Sequence, residues 1–176
     1  SEGHEVPTKS VKVEQDTARL LREGKVIGWF QGRMEAGPRA LGNRSILAHP
    51  GLDGLKRKVN VSIKNRENWR PFAPSILEED APEILNGFRI SPFMTVSFSL
   101  KDKYTKSFVN AAHVDGTVRA QTVSSVQNPR YHRLISEFKI LTGIPGVLNT
   151  SFNGNDEPIV CAVPSTSQSR ADGCLA

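Results

Sequence analysis

Apolar positions recur along the chain with two periods, one typical of helices and the other typical of strands. The longest regular stretch covers residues 128–143, where Leu134 and Phe138 belong to an apolar stripe at helical spacing. Asn128 can cap the start of this segment, and Gly143 can end it. The pattern therefore predicts an amphipathic helix with defined ends.

The other segments predict a mixture of short helices and strands. Helices are expected over residues 14–23, 52–62 and 80–87, strands over 25–30, 91–100, 144–153 and 157–163, and an extended or turning segment over 67–75. Asp115-Gly116 lies between two β-like runs, which predicts a hairpin over residues 111–123 and hence some antiparallel pairing. We expect a single α/β or α+β domain with a mixed sheet.

Composition adds few constraints beyond this. The chain has 176 residues, 38% of them hydrophobic, which suits one domain with a real core. No apolar run is long enough to span a membrane, and the polar N-terminal residues predict no signal peptide. Cys161 and Cys174 have no metal-ligand spacing, and the four histidines are scattered, so we expect reduced thiols and no bound metal. These features predict a cytoplasmic protein.

Positive charge is concentrated in one segment. The net charge is +5, whereas residues 33–70 alone carry nine Lys or Arg against three acids, a surplus of six. Such a segment attracts phosphates, nucleic acid or another acidic partner.

The segment opens with GRMEAGPRALGNRS, residues 32–45, which combines three arginines with three glycines. Arginine can bind phosphate or carboxylate through two hydrogen bonds, and glycine lets backbone N–H groups approach an anion. The alternative is a set of surface arginines on a long turn. The candidate substrate-binding residues here are Arg33, Arg39, Asn43, Arg44 and Ser45.

A second basic cluster follows in KNRENWRPFAPS, residues 64–75. Lys64, Arg66 and Arg70 are candidates for a second anion contact, with a solvated basic edge as the alternative. Large aromatic residues are most often packed, so Trp69 and Phe72 are expected in the core.

Two later segments offer further polar groups. In HVDGTVRAQTV, Arg119 and Gln121 are two residues apart and are expected on one face of a strand, with His113 across the turn as a candidate general acid or base or as a structural histidine. In LNTSFNGNDEP, residues 148–158, Ser151 and Asn153 belong to an alternating polar face at a strand end. The alternative for that face is simple exposure to water.

In this order, GRMEAGPRALGNRSILA, KNRENWRPFAPSILEED, SPFM, HVDGTVRAQTV, NPRYHRLISEF and VLNTSFNGNDEPIVC resemble the C-terminal domain of the O-carbamoyltransferase family. That family includes the nodulation-factor carbamoyltransferases and those acting on aminoglycoside or cephem antibiotics. The resemblance covers residues 14–163, preceded by an N-terminal extension (1–13). It weakens after Cys161, and residues 164–176 are expected to form an atypical, flexible tail.

The resemblance implies a YrdC-like fold, a twisted mixed sheet with helices packed on it and a basic concave face. It implies that the domain makes carbamoyl-adenylate from carbamoyl phosphate and ATP with Mg²⁺. In the family, an N-terminal Kae1-like domain holds the metal and acceptor sites and transfers the carbamoyl group to a hydroxyl. The chain would then be one part of a larger enzyme, with no permanently bound metal of its own.

On this basis we expect catalytic roles for Arg39, Lys64, His113 and Arg119. Substrate or nucleotide binding is expected for Arg33, Asn43, Arg44, Ser45, Arg66, Arg70, Gln121, Ser151 and Asn153.

Three hypotheses stay open at this point: an enzyme domain, a folded but non-catalytic domain, and a module that binds RNA or another polyanion. The last ranks lowest, because the aromatic residues able to stack on bases (Trp69, Tyr104 and Tyr131) are not clustered in sequence. A domain that normally packs against another can also self-associate through the exposed face.

Overall fold

A computed structural model of the chain describes residues 12–67, 69–154 and 157–161. Four α-helices lie within these ranges: α1 (Lys12–Arg22), α2 (Leu55–Ser62), α3 (Ala81–Ile84) and α4 (Pro129–Thr142). A short 3-10 helix covers Asp102–Tyr104. The strands described are β1 (Ile27–Phe30), β2 (Arg44–Ala48), β3 (Ala73–Leu77), β4 (Phe98–Ser99), β5 (Thr117–Val118), β6 (Gln121–Val123) and β7 (Gly146–Ser151). The predicted tail lies outside the described residues.

Five strands form the main sheet in the order β1-β2-β7-β3-β6. The pairs β1–β2, β2–β7 and β7–β3 are antiparallel, whereas β3 and β6 are parallel. A second, two-stranded sheet pairs β4 with β5. The predicted mixed-sheet α/β fold is therefore confirmed.

Helices α1 and α4 share one hydrophobic cluster with the sheet. Ala18 and Leu21 of α1 and Leu134 and Phe138 of α4 are fully buried, together with Val147 of β7. Their apolar spacing explains why both segments form helices, because each stripe is covered by the other helix and the sheet.

The ends of α4 follow the capping chemistry that the sequence predicts. The Asn128 side chain accepts from the N–H of Tyr131, and Gly143 adopts a left-handed conformation with φ of 73°.

A second cluster buries α2, α3 and the long segment between α3 and β5. Val59, Ile84, Phe108 and Val118 are fully buried there, with Leu148 of β7 almost so. Phe72 is also buried, as predicted, whereas Trp69 is 68% exposed, so the expectation of a core position for Trp69 is wrong. Trp69 is adjacent in sequence to Arg70, in a turn outside the sheet.

Three strand predictions need correction. Of residues 91–100, only Phe98–Ser99 form a strand. The side chains before Phe98 alternate between buried and exposed positions without forming a strand. The contact of this segment with β6 is made by Ser91, which forms hydrogen bonds with Thr122. Residues 157–161 form no strand. The turn at Asp115-Gly116 is confirmed, but residues 111–113 are not a strand.

The hairpin prediction failed because the partner of β5 is β4, from an earlier part of the chain. The turn itself is held locally, since the N–H of His113 donates to the carbonyl of Thr117 and the Asp115 carboxylate accepts from the N–H of Thr117.

Candidate functional site

Two cavities share a wall formed by the glycine-arginine loop, residues 32–45. The outer cavity has a volume of about 530 Å³ and the inner one about 120 Å³. Pro38, Arg39, Met94 and Arg119 line both. The outer volume lies within the range of roughly 300–1,000 Å³ common for small-molecule sites. The inner one suits a small group the size of a phosphate.

Three arginines, Arg39, Arg66 and Arg119, line the inner cavity, whereas no Asp or Glu of the described residues lines it. Burial lowers the pKa of Arg119, and the charge of Arg39 lowers it further. Burial also lowers the pKa of Arg66, which stacks on the ring of Phe72 with 4.8 Å between the guanidinium carbon and the ring centroid. The like charges of Arg39 and Arg119 repel each other, so the cavity is suited to an anion.

Glu35 fixes the loop that forms the shared wall. Its carboxylate oxygens accept from the backbone N–H groups of Leu41 (2.7 Å), Asn43 (2.8 Å) and Arg44 (3.1 Å). Backbone N–H groups converging in this way favour a negative charge. Sequence reasoning missed Glu35, although it is the only acid within residues 32–45.

Arg44 is buried and lines neither cavity. Its guanidinium donates to the carbonyls of Gln31 (2.6 Å), Asn43 (2.9 Å) and Gly32 (3.2 Å), and it lies 3.6 Å from the centroid of the Phe30 ring. Arg44 therefore holds the backbone of the loop in place, whereas it was expected to bind the anionic substrate.

The side chains of Asn43 and Ser45 also hold the loop in place through hydrogen bonds. The side-chain oxygen of Asn43 accepts from Gln31 and from Asn128, the capping residue of α4. Ser45 Oγ accepts from the N–H of Gly42. The predicted residues of this loop therefore divide: Arg39 lines the cavities, whereas Asn43, Arg44 and Ser45 hold the backbone.

A buried polar network lies under the inner cavity. Asn149 Nδ2 donates to the carbonyl of Ala40 and to Ser75 Oγ, both at 3.0 Å, and Ser75 Oγ donates to Gln121 Oε1 at 2.7 Å. Gln121 Nε2 donates to the carbonyl of Leu41 at 2.9 Å. The network fastens the loop to three strands. The sequence analysis did not single out Ser75, because nothing in the segment RPFAPS indicates that this serine is buried.

Lys64 and the end of β7 form a second supporting cluster. The Lys64 ammonium donates to Ser151 through the carbonyl (2.6 Å) and Oγ (3.2 Å), and to Asn153 through the carbonyl (2.9 Å) and Oδ1 (2.7 Å). Burial, aided by the charge of Arg66, lowers the pKa of Lys64 to about 8, although Glu157 opposes the shift. Ser151 lines the inner cavity and Lys64 does not, so Lys64 positions a lining residue.

Three predicted residues lie apart from the cavities. Arg33 is exposed, and Arg70 forms a surface ion pair with Glu67 at 3.2 Å. His113 Nδ1 lies 3.0 Å from Thr117 Oγ1, within the turn before β5. None of the three lines either cavity, so the structure does not bring them to Arg39 and Arg119.

Over the same described ranges, no three His, Cys, Asp or Glu side chains are grouped closely enough to hold a metal ion. Likewise, no helix in these ranges has the length and apolar character needed to cross a membrane.

Comparison with known families gives a match to the model described as carbamoyltransferase C-terminus, over residues 18–172. The chain belongs to this family. Residues 18–172 include both cavity walls, the Lys64 cluster and the Asn149 network. The predicted membership of the carbamoyltransferase C-terminal family is thereby confirmed.

Two curated relatives carry the same domain within longer chains. Nodulation protein NolO of Bradyrhizobium diazoefficiens is 48% identical over 164 residues, which cover 92% of this chain and 30% of the relative. The 3'-hydroxymethylcephem-O-carbamoyltransferase of Streptomyces clavuligerus is 38% identical over 158 residues, covering 88% of this chain and 30% of the relative. This carbamoyltransferase C-terminus thus spans less than a third of the length of either relative.

Solved structures confirm that the carbamoyltransferase C-terminus has a YrdC-like fold. Full-length HypF, in its phosphate- and nucleotide-bound form, superposes with a TM-score of 0.60 at 17% identity, covering 96% of this chain and 20% of HypF. P. abyssi Sua5 in complex with L-threonine gives a TM-score of 0.57 at 12% identity, covering 82% of this chain and 40% of Sua5.

Proposed function

We propose that the two cavities bind carbamoyl phosphate and ATP with Mg²⁺ and form carbamoyl-adenylate, as one step of O-carbamoyl transfer. The observation that carries the proposal is the convergence of Arg39, Arg66 and Arg119 on an inner cavity lined by no carboxylate of the described residues. Both substrates are anions, and positioned cations are the main contribution that a protein makes to transfer at phosphorus.

The different sizes of the two cavities support the binding of a different substrate in each. The inner cavity, of about 120 Å³, holds the phosphate end of a small substrate beside the three arginines. The outer cavity, of about 530 Å³, has an apolar wall that includes Leu41, Phe93 and Met94, against which a nucleoside can pack. Arg39 and Arg119 line both cavities and would contact both substrates.

The proposed reaction needs water as well as the two substrates. Water converts carbamoyl phosphate into carbamate and phosphate, and a carbamate oxygen then forms a bond to the α-phosphorus of ATP while the bond to pyrophosphate breaks. The arginines neutralise the phosphate oxygens during both steps. We assign no proton transfer to His113, because its ring belongs to the turn before β5 and does not line the cavities.

The relatives support the overall reaction that we propose for the whole enzyme, O-carbamoyl transfer. The Streptomyces clavuligerus relative is named as an O-carbamoyltransferase acting on a hydroxymethylcephem. Since this chain corresponds to 30% of that relative, we propose that acceptor binding and transfer are carried out by a further Kae1-like domain. The cytoplasm, as the source of both substrates, is the proposed location.

The first experiment is calorimetric titration of the purified chain with MgATP, with and without carbamoyl phosphate. We expect micromolar to millimolar binding that Arg39→Ala removes and that the matched variant Arg33→Ala leaves within about twofold, because Arg33 is exposed and lines neither cavity. Release of pyrophosphate that depends on carbamoyl phosphate would then establish adenylate formation.

Other outcomes favour the remaining hypotheses. Binding of both ligands without pyrophosphate release indicates a non-catalytic domain. Absence of binding by a cooperatively folded chain, together with tight binding of single-stranded RNA, indicates a polyanion-binding module. The exposed indole of Trp69 would then be the first base-stacking group to test.

A further inference from the structure

Asn149, which lines the inner cavity, carries a buried hydrogen-bond acceptor without a donor. Asn149 is 2% exposed and lines this cavity. Its side-chain oxygen, Oδ1, has no hydrogen-bond partner among the described residues. Buried polar groups are rarely left unpaired, and an unpaired one costs about 1–3 kcal/mol. A ligand that donates a hydrogen bond to this atom would remove that cost.

The surrounding network fixes which end of the Asn149 amide is unpaired. Nδ2 lies 3.0 Å from the carbonyl oxygen of Ala40, which can only accept a hydrogen bond. It also lies 3.3 Å from Gln121 Oε1, and the contact of Gln121 Nε2 with the carbonyl of Leu41 fixes the orientation of the Gln121 amide. Rotating the Asn149 amide by 180° would place two oxygens against each other. The free atom is therefore the acceptor Oδ1.

A second residue of the cavity lining, Arg119, carries an unpaired donor. Arg119 Nε is buried without a hydrogen-bond partner in the described ranges, and Arg39 and Arg66 add further donors to the lining. The complementary ligand carries an N–H group beside anionic oxygens. A carbamoyl group attached to phosphate has this combination, because its –NH₂ donates while its carbonyl and phosphate oxygens accept.

We propose that Asn149 Oδ1 accepts a hydrogen bond from the –NH₂ of the carbamoyl group, so that Asn149 determines specificity for carbamoyl over other acyl phosphates. This inference rests on the proposed function of the inner cavity. An acetyl group would present a methyl to Oδ1 and leave the acceptor unpaired. A carboxyl group would present an oxygen and repel it. Sites built to bind an N–H group discriminate strongly against analogues that lack it.

The test compares three probes: carbamoyl phosphate, acetyl phosphate and inorganic phosphate. Each is titrated into the wild-type chain, into Asn149→Leu and into Ser75→Ala. Carbamoyl and acetyl phosphate differ only in –NH₂ against –CH₃. We expect the wild type to bind carbamoyl phosphate about tenfold or more tightly than acetyl phosphate, in line with the cost of an unpaired buried acceptor. Inorganic phosphate measures the anion contacts alone.

In Asn149→Leu we expect the preference for carbamoyl over acetyl phosphate to fall within about twofold, because leucine has a similarly branched side chain but no acceptor. Affinity for all three probes should fall alike, since the substitution also removes the contact of Asn149 with the carbonyl of Ala40 beside Arg39. Ser75→Ala is the matched control: it removes a hydrogen bond from Asn149 Nδ2 but leaves Oδ1 in place, so the preference should persist.

Equal binding of the two acyl phosphates by the wild type would overturn the inference even if both variants fail to fold, and it would leave the proposed anion site standing. Loss of the preference in Ser75→Ala as well would also overturn it, because the network as a whole would then be responsible. If a cooperatively folded wild type binds none of the three probes, the proposed function fails and this inference fails with it.

Discussion

The Lys64 ammonium donates to Asn153 Oδ1 at 2.7 Å and so connects the segment after α2 to the segment after β7. The same nitrogen donates to the Ser151 carbonyl at 2.6 Å. These contacts cross 87 and 89 residues of sequence and hold a strand end whose Ser151 lines the inner cavity. The same contacts of Lys64 therefore stabilise the fold and hold a residue of the cavity lining in place.

Replacing Lys64 with methionine should destabilise the fold. The substitution leaves the acceptors of Ser151 and Asn153 without their donor, at about 1–3 kcal/mol for each group that water cannot reach. Release of a buried charge offsets part of this, so we expect a net loss of roughly 2 kcal/mol in urea unfolding. The control is Lys58→Met in α2, whose side chain is exposed and should stay within about 0.5 kcal/mol. Equal effects of the two substitutions would contradict a structural role for Lys64.

The contribution of Lys64 to stability should depend on pH. Burial lowers its pKa from 10.5 in the unfolded chain to about 8 in the folded one. Between these values the folded chain binds fewer protons than the unfolded chain, so the contribution of Lys64 to the unfolding free energy rises with pH. Below about pH 8 the full cost of the buried charge is present. We therefore expect the stability difference between wild type and Lys64→Met to grow from pH 7.5 to pH 10, in denaturant titrations. A constant difference would argue against the lowered pKa.

Arg119→Met should separate stability from binding. Arg119 is half-buried beside Arg39, its Nε has no hydrogen-bond partner in the described part of the chain, and its charge is disfavoured by burial. Removing it should leave the unfolding free energy unchanged or raise it by up to about 1 kcal/mol. Thermal stabilisation by phosphate should be lost at the same time. Thermal melts with and without phosphate measure both effects. The exposed Arg89, changed to methionine, should keep the phosphate response, and its loss in that variant would point to general charge attraction.

Gly42→Ala should be far more damaging than Gly37→Ala. Both glycines have strongly positive φ angles, 106° and 100°, which cost a residue with a side chain about 1–2 kcal/mol. A Cβ at Gly42 would also overlap the ring of the buried Tyr131, whereas a Cβ at Gly37 would meet nothing within 4 Å. We expect a loss of about 1–2 kcal/mol for Gly37→Ala and more than about 3 kcal/mol for Gly42→Ala in chemical denaturation. Similar losses would mean that the Tyr131 ring moves aside easily.

The parts of the fold that sequence reasoning predicted are those fixed by nearby residues. The helix α4 has its apolar stripe, its Asn128 cap and its Gly143 end within one segment. Strand pairing depends on residues far apart in sequence. The partner of β5 is β4 and not residues 111–113, and local turn residues such as Asp115 could not reveal that.

The candidate site shows the same division. Arg39 and Arg44 lie five residues apart in one loop, and their residue type is equally suited to an anion. One lines the cavities and the other donates to backbone carbonyls above Phe30. Only the folded positions of Gln31 and Gly32 separate the two roles. The succession of motifs identified the family correctly, because several segments in order carry information that one loop does not.

Glu35 explains how a glycine-rich loop can present Arg39 in a fixed place. Its carboxylate accepts three backbone N–H groups, and the carbonyls of Ala40 and Leu41 are held from below by Asn149 and Gln121. The loop is therefore fastened on both sides immediately after Arg39.

Glu35→Gln should loosen this loop with little change in the rest of the fold. The amide keeps one acceptor oxygen but loses the charge, and hydrogen bonds to a charged group are worth about 1.5–3 kcal/mol against about 1 for neutral ones. We expect faster hydrogen exchange at the amides of Leu41, Asn43 and Arg44, with unchanged protection in α4 and β7. Phosphate affinity should fall about threefold to tenfold, because Arg39 then has to be ordered on binding. The matched variant is Glu23→Gln, an exposed acid after α1. Unchanged exchange in the loop of Glu35→Gln would show that Asn149 and Gln121 alone hold it.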